Sequence, residues 1–269
     1  MWSAWEQWAP CPVTCGFGVT SRDRKCNNPA PSLLGQQCDG HDRDWRSCRR
    51  RNCPIENCLD IRDTMTGASS GVYTISTPVT RTSIQVYCDM DTAGGGWTVF
   101  QRRFNGSLDF NKSFLAYENG FGFVDGELWL GLITVNELTT VGTHELRIDI
   151  MDVNGTKAFE VYSDFQVGQG SHYTLHLGAR TLYNATSGNF TMVDTTFGEN
   201  GMPFSAKDKD MDNSSSFCAQ AYFGGWWYNN CATKNLNGPY ISSIFDYSYQ
   251  YPWRTTLRET RMMFRQVLV

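Results

Sequence analysis

The chain has few histidines and no long hydrophobic run. Only four of its 269 residues are histidine, and a His-Glu-x-x-His motif is missing, which argues against a hydrolytic zinc site. No apolar stretch reaches the length of a membrane span, and collagen-like or heptad repeats that would build an oligomer are also missing. The sequence has no signal peptide and starts within a patterned segment at Trp2. We therefore expect it to be a piece of a longer secreted protein.

Cysteine is distributed unevenly along the chain. Four cysteines serve the last 215 residues: Cys58, Cys88, Cys218 and Cys231. The other six lie in the first 54 residues, a density typical of small secreted disulfide frameworks: Cys11, Cys15, Cys26, Cys38, Cys48 and Cys53. Zinc is the rival interpretation, but the close cysteine pairs are spaced by three and four residues and His41 is the only nearby histidine. The sequence predicts a disulfide-stabilised domain at 1–54 and a larger domain at 55–269.

Sequons and charge support an extracellular protein with two different surfaces. Six Asn-x-Ser/Thr sequons are candidate glycosylation sites: Asn105, Asn111, Asn154, Asn184, Asn189 and Asn213. Residues 1–54 carry eight Lys or Arg against five Asp or Glu, whereas residues 55–269 carry fifteen against twenty-two. The basic domain, with its Arg49–Arg51 run, is a candidate contact for sulfated glycans or for cell-surface and matrix proteins. Nucleic acid is not an expected partner of the acidic domain.

Tryptophans and arginines recur at regular spacings in two separate segments of the first domain. Three tryptophans recur at steps of three: Trp2, Trp5 and Trp8. Pro10 and Pro12 rule out a continuing helix. Arg22 and Arg24 point to one face if their segment is extended, and each guanidinium between indoles would contribute ~1 kcal/mol per contact.

With the motifs C-P-V-T-C-G-F-G-V and CNNPAP, residues 1–54 resemble a thrombospondin type 1 repeat. The resemblance implies a small disulfide-rich, three-stranded module with the pairs Cys11–Cys48, Cys15–Cys53 and Cys26–Cys38. It implies that the three tryptophans stack with Arg22 and Arg24, and it makes Arg46 a further candidate for the stack. It also implies O-fucosylation at Thr14 and C-mannosylation at Trp2 and Trp5.

The second domain is predicted to be a mixed α+β fold with several short sheets and many loops. Its strand-like runs are VYTI, SIQVYCDM, WTVFQRRF, HELRIDIMDV and KAFEVYSDFQV, and helical periodicity is confined to FLAYENGF and ITVNELTTV. The segments GVYTI, VYCDMDTAGGGWTVFQRR, GELWLGL and FCAQAYFGGWWYNNCATKNLNGPY resemble the fibrinogen-related globular domain, which ficolins, tachylectins and tenascins share. This resemblance implies the disulfides Cys58–Cys88 and Cys218–Cys231, and a recognition role.

Enzyme motifs are not supported by their surroundings. The segment 67–71 (GASSG) matches the G-x-S-x-G pattern, but a nucleophile elbow needs a strand before it and a helix after it, and here a strand-like run follows. His172 and His176 lie in SHYTLHLG, which we predict to be a strand that places both on one face without a nearby acid. We therefore expect a non-enzymatic protein.

The stretch DKDMDNSSSFC, residues 208–218, suits calcium. It is not an EF-hand, because Asn213 and Ala219 stand at the positions that require Gly and Glu. Hard oxygen ligands from alternate residues nevertheless fit Ca²⁺. The family resemblance implies a calcium site that Asp208 does not join, with two side chains and two carbonyls as ligands: Asp210, Asp212, Ser214 and Ser216.

The same resemblance implies a ligand pocket beside Cys231. In the family the peptide bond before this cysteine, here Asn230–Cys231, is cis, and its N–H groups bind the carbonyl oxygen of acetylated ligands in some members. Tyr222 matches one wall of the pocket for the acetyl methyl group. Two residues compete for the other wall: Tyr247 and Tyr249. This chain departs from the family at Ala232, where many members have His, and in the shortened segment 244–252.

We conclude from the sequence that the protein is a secreted, calcium-dependent recognition protein with lectin-like binding of N-acetylated glycans or acetylated groups on cell or microbial surfaces, as in innate immunity. The alternative is an extracellular-matrix, cell-adhesion or receptor-binding protein without sugar specificity. A contact as small as an acetyl group is weak, roughly millimolar, so useful binding requires an oligomer of the full-length protein.

Overall fold

The computed structural model places the chain in two compact units, Met1–Pro54 and Ile55–Val269. The residues it describes are 1–31, 35, 38–51, 53–184, 198–232, 234–240 and 257–267. Three of the predicted site residues lie outside this part of the chain: Asn189, Tyr247 and Tyr249. Within the described residues, no helix is both long and apolar enough to cross a membrane.

The first unit has two regular strands, β1 (Phe17–Asp23) and β2 (Arg43–Arg49), which pair antiparallel. The third strand of the expected module is an irregular segment, residues 3–9, in which every third N–H group donates to a carbonyl in or next to β1. A regular strand alternates its side chains with a period of two, so it could not turn tryptophans spaced by three to one side. Three disulfides link the unit, in the pairs that the family resemblance implies: Cys11–Cys48, Cys15–Cys53 and Cys26–Cys38.

The second unit contains four short helices and eleven strands in its described part. The helices are α1 (Cys58–Thr64), α2 (Phe114–Asn119), α3 (Leu132–Thr139) and α4 (Cys218–Ala221). The strands are β3 (Gly71–Ser76), β4 (Ser83–Asp89), β5 (Trp97–Arg103), β6 (Phe121–Gly122), β7 (Leu128–Trp129), β8 (Thr143–Asp152), β9 (Lys157–Tyr162), β10 (Gln166–Val167), β11 (Leu175–His176), β12 (Arg180–Tyr183) and β13 (Leu257–Val267).

A nine-stranded antiparallel sheet organises this unit. Its main path runs β12-β9-β8-β13-β5-β4-β3, and β6 and β7 attach beside β5. The last strand of the chain, β13, therefore lies in the centre, paired with β8 on one side and β5 on the other. Two disulfides link elements of this unit, in the pairs that the resemblance implies: Cys58–Cys88 between α1 and β4, and Cys218–Cys231 between α4 and the segment that follows it.

The predicted elements agree with the structure in most places. The two helical stretches form α2 and α3, and four of the strand-like runs form β3, β4, β5 and β8. The run from 157 to 167 divides into β9 and β10, because Asp164 between them has a positive φ of 52°. Helix α1 was not predicted, although Asn57 caps it by accepting from the Asp60 N–H group at 3.0 Å.

One strand prediction is wrong. SHYTLHLG contributes only Leu175–His176 to a strand, because Tyr173 takes a φ of 44° and interrupts the extended conformation. His172 therefore lies outside β11 and does not share a strand face with His176.

The main core lies against one face of the large sheet and is rich in aromatic rings. Trp226 and Trp227 are fully buried there, as expected for core residues, and their rings lie 5.5 Å apart. Ser205 and Trp226 exchange two backbone hydrogen bonds, of 2.9 and 3.0 Å between N and O. This bridge brings the acidic loop that follows residue 205 next to the segment 226–231.

Candidate functional site

The acidic loop begins at a rigid position. Met211 donates its N–H group to the Ser205 hydroxyl at 3.0 Å, so the loop turns back on the bridge to Trp226. At its far end the loop enters α4, whose first residue, Cys218, forms the disulfide to Cys231. Both ends of the loop are therefore attached to the segment expected to bind a ligand.

Asp208 stabilises a helix. One oxygen of its carboxylate accepts from the Phe114 N–H group at 2.7 Å, at the first turn of α2. The adjacent Lys209 places its ammonium group 3.6 Å from the centre of the Phe114 ring. This hydrogen bond gives Asp208 a structural role at α2, which is separate from the proposed calcium site.

Asp210 and Asp212 lie next to each other in the loop. The Asp212 carboxylate accepts from the N–H groups of Ser214 and Cys218 at 2.9 and 3.0 Å. The Asp212 N–H group points to the Asp210 carboxylate at 3.4 Å. Partial burial raises the pKa of Asp212, and the neighbouring Asp210 carboxylate adds to the rise. A cation between the two groups would lower that pKa, because it favours the charged form of both.

Two backbone carbonyls of the loop, those of Ser214 and Ser216, are the other calcium ligands that the family resemblance implies. Within the described residues, no N–H or O–H group donates to the carbonyl of Ser214 or Ser216. No three His, Cys, Asp or Glu side chains in that part of the chain form a group that could hold a metal ion. A calcium site here depends on two carboxylates plus carbonyl oxygens, a donor set that suits Ca²⁺ better than transition metals.

Two backbone donors lie beside the loop. The Asn230–Cys231 peptide bond is cis, as the resemblance implies. Neither the Asn230 nor the Cys231 N–H group has an acceptor among the described residues. Asn230 is exposed and Cys231 is half-buried, so neither residue is closed off from solvent. These two groups are therefore available to an acceptor from outside the protein.

Asn213 joins the loop to these donors. Its backbone N–H group donates to the Asn229 carbonyl at 3.1 Å, and its side-chain Nδ2 donates to Asn229 Oδ1 at 3.1 Å. The sequence marked Asn213 only as a sequon and did not identify either contact. The repeated amides in Asn229–Asn230 were the available signal, because short polar side chains commonly hold irregular backbone.

Tyr222 lies half-buried near the same segment. Its ring stacks on the Tyr228 ring, with 6.2 Å between centroids and 27° between planes. The Tyr228 hydroxyl donates to the Gly224 carbonyl at 2.8 Å and accepts from Asn235 Nδ2 at 2.9 Å. Tyr222 thus stacks on a tyrosine, Tyr228, whose hydroxyl is held by two hydrogen bonds. The two tyrosines expected for the opposite wall lie outside the described residues, and Ala232 packs against the core.

The candidate modification sites differ in accessibility. Asn105, Asn154, Asn213 and Thr14 are exposed, whereas Asn111 is half-buried. The Asn184 side chain is half-buried too, and its Nδ2 donates to the Lys157 carbonyl at 3.0 Å. A glycan attached to that nitrogen would disturb this hydrogen bond.

The tryptophans of the first unit alternate with arginines in one stack. Arg24 lies 4.5 Å from the centre of the Trp2 ring and 4.3 Å from that of Trp5. Arg22 lies 4.9 Å from Trp5 and 4.6 Å from Trp8. Arg46 closes the stack at 4.3 Å from Trp8. The indoles cover one another through guanidinium planes, as a chain too short for a conventional core requires.

The segment 67–71 does not form a nucleophile elbow. It follows α1 and precedes β3, the reverse of the strand-to-helix order that the elbow needs. The Ser70 hydroxyl donates to the Asp91 carboxylate at 2.6 Å and accepts from the Met90 N–H group at 2.9 Å. These two contacts of Ser70 hold the segment in a turn.

Comparison with protein families gives two matches. Residues 55–263 match the C-terminal globular domain of fibrinogen β and γ chains, and residues 3–53 match the thrombospondin type 1 domain. Human Fibrinogen C domain-containing protein 1 is 37% identical over 240 residues, which cover 82% of this chain and 50% of that protein. This chain therefore spans about half the length of that relative. Human Ficolin-3 is 40% identical over 218 residues, 78% of this chain and 70% of Ficolin-3.

Solved structures show the same fold. The fibrinogen-like globe domain of human ANGPTL6 superposes with a TM-score of 0.72 at 35% identity, covering 81% of this chain and 97% of that one. The lamprey fibrin D-dimer, complexed with the peptide Gly-His-Arg-Pro-amide, has a TM-score of 0.69 at 28% identity and covers 82% of this chain and 78% of its own. Fibrinogen-like families of this kind are non-enzymatic recognition proteins. The chain belongs to the family of fibrinogen C-terminal globular domains, here preceded by a thrombospondin type 1 domain.

Proposed function

We propose that the second unit captures the acetyl group of N-acetylated sugars or other acetylated ligands on cell or microbial surfaces, and that the protein does so as a secreted molecule. The observation that carries this proposal is the pair of backbone N–H groups at Asn230 and Cys231, which have no acceptor among the described residues. They would donate to the acetyl carbonyl oxygen, while the methyl group packs on Tyr222. Tyr247 or Tyr249 would form the second wall.

Calcium would brace this site. Asp210 and Asp212 would bind the ion through carboxylates, and Ser214 and Ser216 through their carbonyls. The positive charge of the ion would offset the repulsion between these two adjacent carboxylates. Asn213 lies between these residues and holds Asn229 through two hydrogen bonds. Ordering the loop would therefore also order the segment that presents the two donors.

Single contacts of this size bind weakly, roughly at millimolar dissociation constants. Useful capture of a surface therefore needs several copies bound together in the full-length protein. The basic first unit would add contacts to sulfated glycans or to cell-surface and matrix proteins.

A recognition role without sugar specificity is the second candidate. The lamprey fibrin D-dimer structure holds a peptide ligand on the same fold, and Tenascin-R of Gallus gallus is 46% identical over 176 residues, 65% of this chain and 12% of that protein. The first unit also exposes apolar side chains on one face of its two-stranded sheet: Phe17, Val19 and Trp45. Those side chains are suited to a protein partner.

Affinity chromatography distinguishes the two candidates. The chain is applied to N-acetylglucosamine resin with calcium and then treated with free acetate or with EDTA. Elution by both agents supports the acetyl-binding proposal, and glucose resin serves as the matched matrix without an acetyl group. Retention on cells or on heparin that acetyl compounds do not affect would refute it.

A further inference from the structure

A cleft lies on the face of the large sheet opposite the main core. Its volume is about 530 Å³, which is within the range of small-ligand sites. β5, β13, β8 and β9 form its floor, and none of the described residues proposed to bind calcium or acetyl groups lines it. The cleft therefore represents a separate candidate site.

Strand register brings the polar side chains of the cleft together. Residues directly opposite each other on antiparallel strands point to the same face of a sheet. One continuous row crosses four strands in this way: Arg102, Arg261, Asp149 and Phe159. A second row crosses three strands: Glu259, Met151 and Lys157.

The carboxylate at the centre of the cleft is already used. Asp149 accepts from Arg147 Nε at 2.8 Å and from Arg261 Nη2 at 2.8 Å. Arg261 is also paired with Asp89. The Asp149 carboxylate is therefore already ion-paired with the guanidinium groups of Arg147 and Arg261.

Arg102 has no such partner. Its guanidinium lies between the rings of Tyr87 and Phe104, 4.7 and 5.0 Å from their centres. Among the described residues, no carboxylate and no hydrogen-bond acceptor contacts this group, and its Nη1 atom is buried without a partner. The residue directly opposite is Arg261, a second positive charge. Unpaired charged donors are unfavourable, which indicates that an acceptor from outside the chain belongs here.

Lys157 supplies a second available charge. It is exposed at the edge of the cleft, and the described residues offer its ammonium group no ion pair. Glu259 is the one other acid that lines the cleft. Phe159 adds an apolar surface, and the Arg147 guanidinium lies 4.2 Å from the centre of its ring. The cleft thus combines unpaired cations with aromatic rings, the combination that suits the charged groups and the apolar ring faces of an acidic sugar.

We infer that this cleft binds an acidic saccharide. Arg102 on β5 and Lys157 on β9 are separated by two strands, so two different anionic groups of the saccharide, sulfate or carboxylate, would accept hydrogen bonds from them, and a sugar ring would rest on Phe159. Arg102 is suited to this role because its planar donors are already oriented by two aromatic rings. Sulfate and carboxylate would both accept hydrogen bonds from these residues, and the two disaccharides used in the experiment distinguish between them.

The test uses the full chain and a trisulfated heparin disaccharide, which has no acetyl group and therefore does not address the acetyl site. Binding is measured by calorimetry or by ligand-observed NMR. R102Q and K157Q should each weaken binding at least fivefold. R258Q is the matched control, because Arg258 is exposed on the same central strand outside this cleft and should leave binding unchanged.

A desulfated disaccharide that keeps its carboxylate assigns the anionic group. Binding that requires sulfate supports sulfate recognition, and retained binding supports recognition of the carboxylate. If R102Q fails to fold, K157Q decides, because Lys157 has no side-chain ion pair with any residue that the structure describes. The inference is overturned if neither disaccharide binds, or if R102Q and K157Q bind as the parent does and only substitutions in the Arg49–Arg51 run reduce binding.

Discussion

The side chain of Asn213 donates to the side chain of Asn229 across 3.1 Å and so joins the acidic loop to the segment that carries the unpaired N–H groups. Asn229 is in turn held from its own segment, because its N–H group donates to the Cys231 carbonyl. A change in the acidic loop can therefore reach the proposed acetyl site through this amide pair and through the backbone hydrogen bond between the same two residues.

We expect N213A to weaken acetyl binding about three- to tenfold while leaving calcium binding nearly unchanged. The substitution removes the side-chain contact to Asn229 but keeps the backbone hydrogen bond, so roughly 1 kcal/mol of support is lost. Titration with N-acetylglucosamine measures the effect. S215A is the control, since it removes the same sequon without touching the Asn213 amide. Equal losses in both variants would point to the glycan instead of the hydrogen bond.

Calcium binding should depend on Asp212 and not on the serine hydroxyls. D212A should abolish binding, because it removes a proposed ligand and the acceptor of two N–H groups. S214A and S216A should leave the affinity within about threefold, since the proposed ligands there are backbone carbonyls. Calorimetry with Ca²⁺ provides the measurement. Loss of binding in the serine variants, with D212A unaffected, would contradict the ligand assignment.

His144 should make the second unit less stable in mild acid. Its side chain is 3% exposed, and burial lowers its pKa to about 4, well below the value of about 6.5 of a free histidine. The unfolded chain therefore binds more protons between these two values, and the free energy of unfolding falls as pH drops from about 6.5 to about 4, by up to about 3 kcal/mol.

Denaturant unfolding of the parent and of H144Q at several pH values tests this expectation. Glutamine does not titrate, so H144Q should lose less stability across the window, while acids that titrate there affect both proteins alike. Identical pH slopes would show that His144 does not contribute. A steeper slope in H144Q would contradict the sign of the effect.

The first unit should depend on its mixed stack. R24Q removes two cation–π contacts, to Trp2 and Trp5, and should destabilise this unit by about 1–2 kcal/mol. Near-ultraviolet circular dichroism follows the tryptophans during thermal unfolding. R50Q is the control, because among the described residues the Arg50 side chain has one long contact, at 3.5 Å to the Cys11 carbonyl. An unchanged transition in R24Q would mean that the cation–π contacts of Arg24 do not stabilise this unit.

Several features of the fold could be read from local pattern. Short strand-like runs separated by glycine-rich turns predicted most strands, and cysteine density predicted the disulfide-dense first unit. The failure at SHYTLHLG has a different cause, because Tyr173 takes a positive φ that its residue type rarely adopts. Propensity does not report such a conformation, because surrounding structure enforces it.

By itself, the sequence determined the composition of the site: oxygen donors in 208–218, aromatic residues before Cys231, and the evenly spaced tryptophans Trp2, Trp5 and Trp8 at the start. Local spacing is enough for these features, because they depend on neighbours in the chain. Only the tertiary structure decided which residues meet at a distance. It paired Asp208 with Phe114 and Asn213 with Asn229. It also placed Arg102 opposite Arg261, where no acid among the described residues pairs with Arg102. Such contacts depend on strand register and loop packing, which no single segment encodes.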